Sequence, residues 1–304
     1  MKKDFIAISD YSSAEIIEIL KLAKTLKSRQ KNQERYTPLE GKSLVMIFQK
    51  PSARTRVSFE TGMFQLGGHA IYLGPAEIGL GKREKAADLA RVLSRYNDAI
   101  MARLFGHELI LELARYADVP VINGLTDFNH PCQVLGDVLT VEEHLGRFQD
   151  FTLTYIGDGN NMVHSWLNAA SRLHIKLNLA IPQGYDPDQE VLDAAIKSGR
   201  SEITIFRDPE QAAAGADVIY TDVWASMGQE KEANKRKRDF RNFQVNEKIV
   251  RMARPGVKVM HCLPAHRGDE ITDEVMDGPH SIVFDEAENR LHLQKAILVT
   301  LLVQ

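Results

Sequence analysis

Short apolar runs alternate with segments of helical period along this chain, and the alternation restarts once, near residue 151. Leu44-Val45-Met46-Ile47-Phe48 is apolar at consecutive positions, the pattern of a strand covered on both faces. Similar runs recur at residues 70–73, 99–102 and 119–122, with helix-like segments near 55–66, 85–96 and 107–117 between them and a longer helical pattern over 131–145. The second series has strand candidates at 151–156, 177–181, 203–206, 218–221 and 257–260, and helices near 161–173, 188–198, 209–215 and 231–253. Strands that alternate with helices build parallel sheets with both faces covered. Ahead of the first strand, Ile16, Ile19, Leu20, Ala23 and Leu26 lie at helical spacing. At the other end, residues 286–302 are apolar nearly all round, as in a well-buried helix. The expected fold is therefore α/β, two domains, each a mostly parallel sheet flanked by helices. A length of 304 residues suits that division, and the boundary falls in or after the helix ending near Gly146.

Charge narrows the partners. Lys plus Arg total 38 against 41 for Asp plus Glu, a net charge of −3, so nothing electrostatic favours nucleic acid or an anionic membrane. The longest apolar run, residues 296–303, is far short of the roughly 20 residues that span a bilayer. Two cysteines, Cys132 and Cys262, cannot build a disulfide framework and fit a reducing, cytoplasmic setting. The basic run from Lys231 to Arg241 alternates with Glu232 and Asp239 and reads as a solvated helix face.

The chemistry concentrates just past strand ends. Gln49-Lys50-Pro51-Ser52-Ala53-Arg54-Thr55-Arg56 follows the first buried strand and opens a helix. Helix N-termini offer free N–H groups to anions, Ser52 and Thr55 add hydroxyls, and Arg54 and Arg56 add forked guanidinium groups suited to phosphate. The segment lacks the Gly-x-x-x-x-Gly-Lys pattern, so it is not the usual nucleotide loop. Arg103, the segment His130-Pro131-Cys132-Gln133 and the segment His261-Cys262-Leu263-Pro264 occupy the same topological place after other strands. Arginines, a histidine and a glutamine around a phosphate cradle suit an acyl phosphate, holding its phosphate and polarising its carbonyl. No group of His, Cys and carboxylates shows metal-ligand spacing, so neither metal nor cofactor is expected. Gly157-Asp158-Gly159 after a strand is a weak dinucleotide fingerprint, because Asn160-Asn161-Met162 follows and the third glycine is missing.

At this point the chain resembles the ornithine carbamoyltransferases of the aspartate/ornithine carbamoyltransferase family, almost end to end. The segments that carry the resemblance are FQKPSARTRVSFE (48–60), HPCQ (130–133), GDGNN (157–161), DVWASMGQE (222–230), HCLPAHRG (261–268) and Glu288-Asn289-Arg290. The resemblance implies a carbamoyl phosphate-binding domain over 1–146, rejoined by the C-terminal helix at about 286–304, and an ornithine-binding domain over 147–285. It implies that the helix after His130 and the final helix join the two, and that the enzyme assembles as a homotrimer and converts carbamoyl phosphate and L-ornithine to L-citrulline and phosphate. Residue by residue, it implies that Ser52, Ala53, Arg54 and Thr55 hold the phosphate, and that Arg103 and His130 contact phosphate and carbonyl oxygen. Gln133 would bind the carbamoyl nitrogen with main-chain oxygens near Cys262 and Leu263, and Arg290 would approach from the final helix. Asn161, Asp222, Ser226 and Met227 would hold the amino acid, with Cys262 close to the reacting end. Arg54, Arg103, His130 and Cys262 form the catalytic set. Asp222 with Ser226-Met227-Gly228 favours a free α-amino acid over putrescine, and the polar run that follows suggests a hinged lid.

Two positions depart from the family's pattern. Many relatives have Thr where this chain has Ala53, which keeps its backbone N–H but loses a hydroxyl. Gly79 carries no side chain, whereas some relatives reach a neighbouring subunit's site from near that position.

Overall fold

The chain, in a computed structural model, is described over residues 2–79, 84–225, 228 and 230–303. Its first helix, α1 (Ser13–Lys31), is set by a capping box in which Ser12 Oγ accepts from Glu15 N–H while the Glu15 carboxylate accepts from Ser12 N–H. It buries Ile16, Ile19, Leu20, Ala23 and Leu26, the residues at helical spacing. Then come β1 (Ser43–Phe48), α2 (Ala53–Gln65), β2 (His69–Leu73), α3 (Ala86–Leu93), β3 (Ala99–Arg103), α4 (His107–Tyr116), β4 (Val121–Leu125) and α5 (Pro131–Leu145). The strands form one parallel sheet in the order β2-β1-β3-β4. Leu44 to Phe48 are buried throughout, as consecutive apolar residues in a central strand must be.

One strand sits later than its apolar residues suggest. The expected run 119–122 becomes β4 at Val121–Leu125 because Pro120 has no N–H to give, and because polar Asn123 continues the strand while its amide donates to Ile6 O at 3.0 Å. A buried asparagine whose amide nitrogen is paired inside the protein leaves no hydrophobic signal.

The second series comprises β5 (Thr152–Ile156), α6 (Asn161–Ala170), β6 (Lys176–Ala180), α7 (Gln189–Lys197), β7 (Glu202–Phe206), α8 (Pro209–Ala213), β8 (Val218–Thr221), α9 (Ala233–Phe240), α10 (Glu247–Met252), β9 (Lys258–His261) and α11 (Asp273–Met276). Its parallel sheet runs β7-β6-β5-β8-β9. The expected helix 231–253 is two helices. Phe243 and Val245 are buried between them, Val245 bridges to Ile271, and Asn246 caps α10 by accepting from Lys248 and Ile249 N–H at 3.1 and 3.2 Å. Apolar spacing continues across the break, so periodicity alone does not see it.

The final helix, α12, spans Val283–Leu302. Residues 1–139 with 288–304 form one compact unit and residues 140–287 the other, so the chain passes between units inside α5 and again inside α12. Among the described residues, no helix is long and apolar enough to cross a membrane.

Each sheet has a point where strand order reverses, between β1 and β3 in the first and between β5 and β8 in the second. Crevices beyond the carboxyl ends of strands at such points are where open α/β sheets bind ligands.

Candidate active site

In the first unit, β1 delivers the chain to the N-terminus of α2. Ser52 caps it, its Oγ accepting from Thr55 N–H at 3.2 Å and donating to Thr55 Oγ1 at 3.1 Å. Thr55 is fully buried and accepts from Arg290 Nη2 at 2.7 Å, so α12 is tied to the helix start by a residue 235 positions away. Ala53 is exposed on the first turn. Arg54 is half-buried, and its Nε is buried with no hydrogen-bond partner among the described residues. Arg103 ends β3 nearly buried, opposite Phe48 in register.

His130 is buried at the start of α5, and its pKa is pushed well below the ordinary histidine value, first by burial and then by the charges of Arg290, Arg103 and Arg54. Burial and three guanidinium charges therefore all favour the uncharged imidazole. The loop carrying it is braced by Asn129, whose backbone O accepts from Thr126 N–H at 2.9 Å and whose side chain bonds Asn123 and Ile6 O. Gln133, one turn along, donates to buried Asp137 at 2.8 Å. Cys132 is structural: burial pushes its thiol up to about 12, and it lies 3.4 Å from Asn123 O. Lys50, to which sequence reasoning assigned nothing, is buried, pairs with Asp127 and places its ammonium 4.4 Å from the Phe105 ring centre.

In the second unit the same topology gathers the ends of β5, β8 and β9. Gly159 is required by a close approach, since a Cβ there would meet backbone atoms of Tyr185 and Pro187 at 2.4 Å. That packing accounts for this glycine of the weak dinucleotide fingerprint without a nucleotide. Asn160 caps α6 through Met162 N–H at 2.9 Å, and its amide donates to Asp222 Oδ2 at 2.8 Å. Asp222 Oδ1 accepts from Val223 N–H at 2.8 Å and from the Cys262 thiol at 3.0 Å. Asn161 opens α6 beside this group, with Ser165 donating to its carbonyl at 2.8 Å. Ser226 and Met227 lie outside the described residues.

Arg236 departs from the expected solvated face. It is buried, donates to Asp158 Oδ2 at 2.7 Å and to Trp224 O at 2.9 Å, and so anchors the segment entering residues 226–229. Burial raises the Asp158 carboxyl above its ordinary value, with Asp222 adding to the rise and Arg236 opposing it. The signal was present as one arginine in a basic run, but composition cannot say which residue of such a run turns inward.

Ligand atoms of Asp222, His261 and Cys262 lie within 4.8 Å of one another, a grouping that sequence spacing did not show because two strand ends supply it. It fits a resident metal poorly. His261 Nδ1 accepts from Leu263 N–H at 2.8 Å and Nε2 faces Glu270 Oε1 at 3.1 Å, so neither ring nitrogen is available to a metal without breaking a bond. The turn beyond holds Leu263 at φ 58°, a left-handed conformation that costs a non-glycine residue roughly 1–2 kcal/mol.

Fold and site together define an α/β protein with two parallel-sheet units, an arginine-rich anion cradle at one helix N-terminus and a carboxylate–thiol group at a second set of strand ends. Residues 3–143 match the carbamoyl-P binding domain of aspartate/ornithine carbamoyltransferases, and residues 149–301 match their Asp/Orn binding domain. The chain belongs to the aspartate/ornithine carbamoyltransferase family, a family of transferases. It is 54% identical to the ornithine carbamoyltransferase of Anoxybacillus flavithermus over 99% of this chain and 96% of that one. It is 53% identical to the anabolic ornithine carbamoyltransferase of Pyrococcus furiosus over 97% of this chain and 95% of that one. A solved ornithine carbamoyltransferase from the same organism superimposes with a TM-score of 0.96 at 51% identity, covering 99% of this chain and 97% of that one.

Proposed function

We propose that this chain transfers the carbamoyl group of carbamoyl phosphate to the side-chain amine of L-ornithine, giving L-citrulline and phosphate. The observation that carries the reading is the capped start of α2, tied to Arg290 through Thr55, together with a buried His130 whose protonation the charges of Arg290, Arg103 and Arg54 oppose. An acyl phosphate needs that combination, with cations for its phosphate and a hydrogen-bond donor for its carbonyl oxygen. Under this reading the first unit, with the C-terminal helix, binds carbamoyl phosphate through Ser52, Ala53, Arg54, Thr55, Arg103, His130, Gln133 and Arg290. Main-chain oxygens near Cys262 and Leu263 hold the carbamoyl nitrogen. The second unit takes ornithine, with Asp222 facing the α-ammonium, Asn161, Ser226 and Met227 around it, and Cys262 near the reacting end. The amine attacks the carbonyl carbon, an oxyanion forms under Arg54, Arg103 and His130, and the C–O bond to phosphate breaks. Phosphate leaves with the electron pair and takes the amine's proton, so no protein base is required. The Pyrococcus furiosus relative named as anabolic supports a biosynthetic direction. A homotrimer in the cytoplasm completes the proposal, resting on the family resemblance.

The attacking amine must be the free base, yet an unperturbed alkyl ammonium titrates near 10.4, which costs roughly 4.6 kcal/mol at pH 7. Turnover is therefore expected to rise from pH 7 to 8.5, by up to about 30-fold if the bound amine keeps its ordinary pKa. Because His130 is already neutral, no additional limb from its titration should appear near pH 6.5. Ureido-product formation with ornithine, putrescine, N-acetylornithine and aspartate at both pH values tests the whole reading. Product from ornithine alone supports it, and product from another acceptor alone overturns the assignment of the Asp222 group.

Ala53 gives a smaller test. Ala53→Thr restores a hydroxyl at the helix start and is expected to tighten carbamoyl phosphate binding by about 1–3 kcal/mol. Equal dissociation constants for variant and wild type would show that no phosphate oxygen points there.

A further inference from the structure

Behind the Cys262–Leu263 turn lies a carboxylate that sequence reasoning did not single out. Glu270 is completely buried, and its Oε1 accepts His266 N–H at 2.6 Å and faces His261 Nε2 at 3.1 Å. The other imidazole nitrogen, Nδ1, accepts Leu263 N–H at 2.8 Å. A ring nitrogen that accepts an amide hydrogen carries no proton, so the His261 proton sits on Nε2 and is donated to Glu270. The backbone of His261 is held separately, its N–H donating to Glu286 Oε2 at 2.9 Å, while Glu286 Oε1 accepts the Tyr220 hydroxyl at 3.2 Å. Every polar atom of His261 on which the turn depends is thus matched, and the residue it pins, Leu263, has a φ of 58° that a leucine keeps only under constraint.

We infer that Glu270 and His261 form a positioning pair. Glu270 selects the Nε2–H tautomer, the bare Nδ1 captures Leu263 N–H, and the captured peptide directs the main-chain oxygens at Cys262 and Leu263. With the proton on Nδ1 instead, two N–H groups would face each other across 2.8 Å and the turn would open. The inference rests on the functional reading above, in which those oxygens hold the carbamoyl nitrogen. Neither side chain touches substrate, and both act through the backbone they set.

Asparagine and glutamine separate the two imidazole nitrogens. In His261→Asn the side-chain oxygen takes the place of Nδ1 and still accepts Leu263 N–H. In His261→Gln the amide reaches toward Glu270 but leaves nothing where Nδ1 was. Both remove the ring, so both should melt at similar temperatures below wild type. His261→Asn is expected to keep kcat within about tenfold of wild type, and His261→Gln to lose about 10²-fold, the effect of misplacing a reacting group by about an ångström. The 15N spectrum of the histidine-labelled full-length protein should show His261 protonated at Nε2 only, and Glu270→Gln should mix the tautomers. Equal turnover by the two His261 variants, or a wild-type His261 protonated at Nδ1, overturns the inference. If the wild type makes no ureido product from any amine, the functional reading fails, and the 15N spectrum still decides the tautomer.

Discussion

Replacing Arg54 by glutamine is expected to cut kcat/KM for carbamoyl phosphate by about 10²–10³-fold, the usual cost of losing one preorganised donor to a developing oxyanion. Its Nε is buried without a hydrogen-bond partner among the described residues, and its charge helps hold His130 neutral. A guanidinium whose charge acts on the same imidazole as two others, with no carboxylate ion-paired to it among the described residues, serves a ligand better than it serves the fold. The melting temperature of Arg54→Gln should therefore equal or exceed that of wild type, since mutual repulsion among Arg54, Arg103 and Arg290 is relieved. Arg56, two residues on, is the control. It is exposed, pairs with Glu60 at 3.0 Å and stacks 3.9 Å from the Tyr72 ring centre, so Arg56→Gln should change turnover less than about threefold. Similar losses in the two variants would mean that the cradle is a diffuse basic surface and not a set of aimed donors.

Arg236→Met is expected to be the most damaging change to the second unit. Removing one partner of a buried ion pair leaves an uncompensated charge, typically at a cost of about 3–5 kcal/mol. Here the orphan is Asp158, whose carboxyl burial already raises and Arg236 does most to restrain. Without Arg236 its folded-state pKa rises further above the unfolded value near 3.9. The folded variant then binds a proton that the unfolded chain does not, so the stability deficit is largest at pH 7 and shrinks as the pH falls toward 4. Asp158→Asn added to Arg236→Met should recover much of the loss at neutral pH. Urea denaturation at pH 7 and pH 5 checks both points, and a deficit that does not change with pH would show that packing, and not charge, is what Arg236 supplies. Because Arg236 also donates to Trp224 O, the variant should raise KM for ornithine through the segment it anchors.

The two parallel-sheet series, the strand-end placement of the chemistry and, through the motifs, the residues of the proposed site are legible in the order of amino acids alone. Those features are written in local periodicity: consecutive apolar residues demand a strand covered on both sides, and a Ser or Asn ahead of an apolar-periodic segment demands a helix start. Whatever depends on partners distant in the chain emerges only on folding. Arg54 and Arg56 are equivalent in sequence, and only the packing of α2 sends one inward and the other to Glu60. Thr55 meets Arg290 across 235 positions and Asp158 meets Arg236 across 78, so neither bond has a local signature. Asn123 hides the second half of β4, and Asn246 divides an apparently continuous helix, because each satisfies backbone groups that hydrophobic patterns do not register. Periodicity records which residues leave water, whereas the cost of burying a polar group is met by whichever partner the fold brings to it, and only the folded chain names that partner.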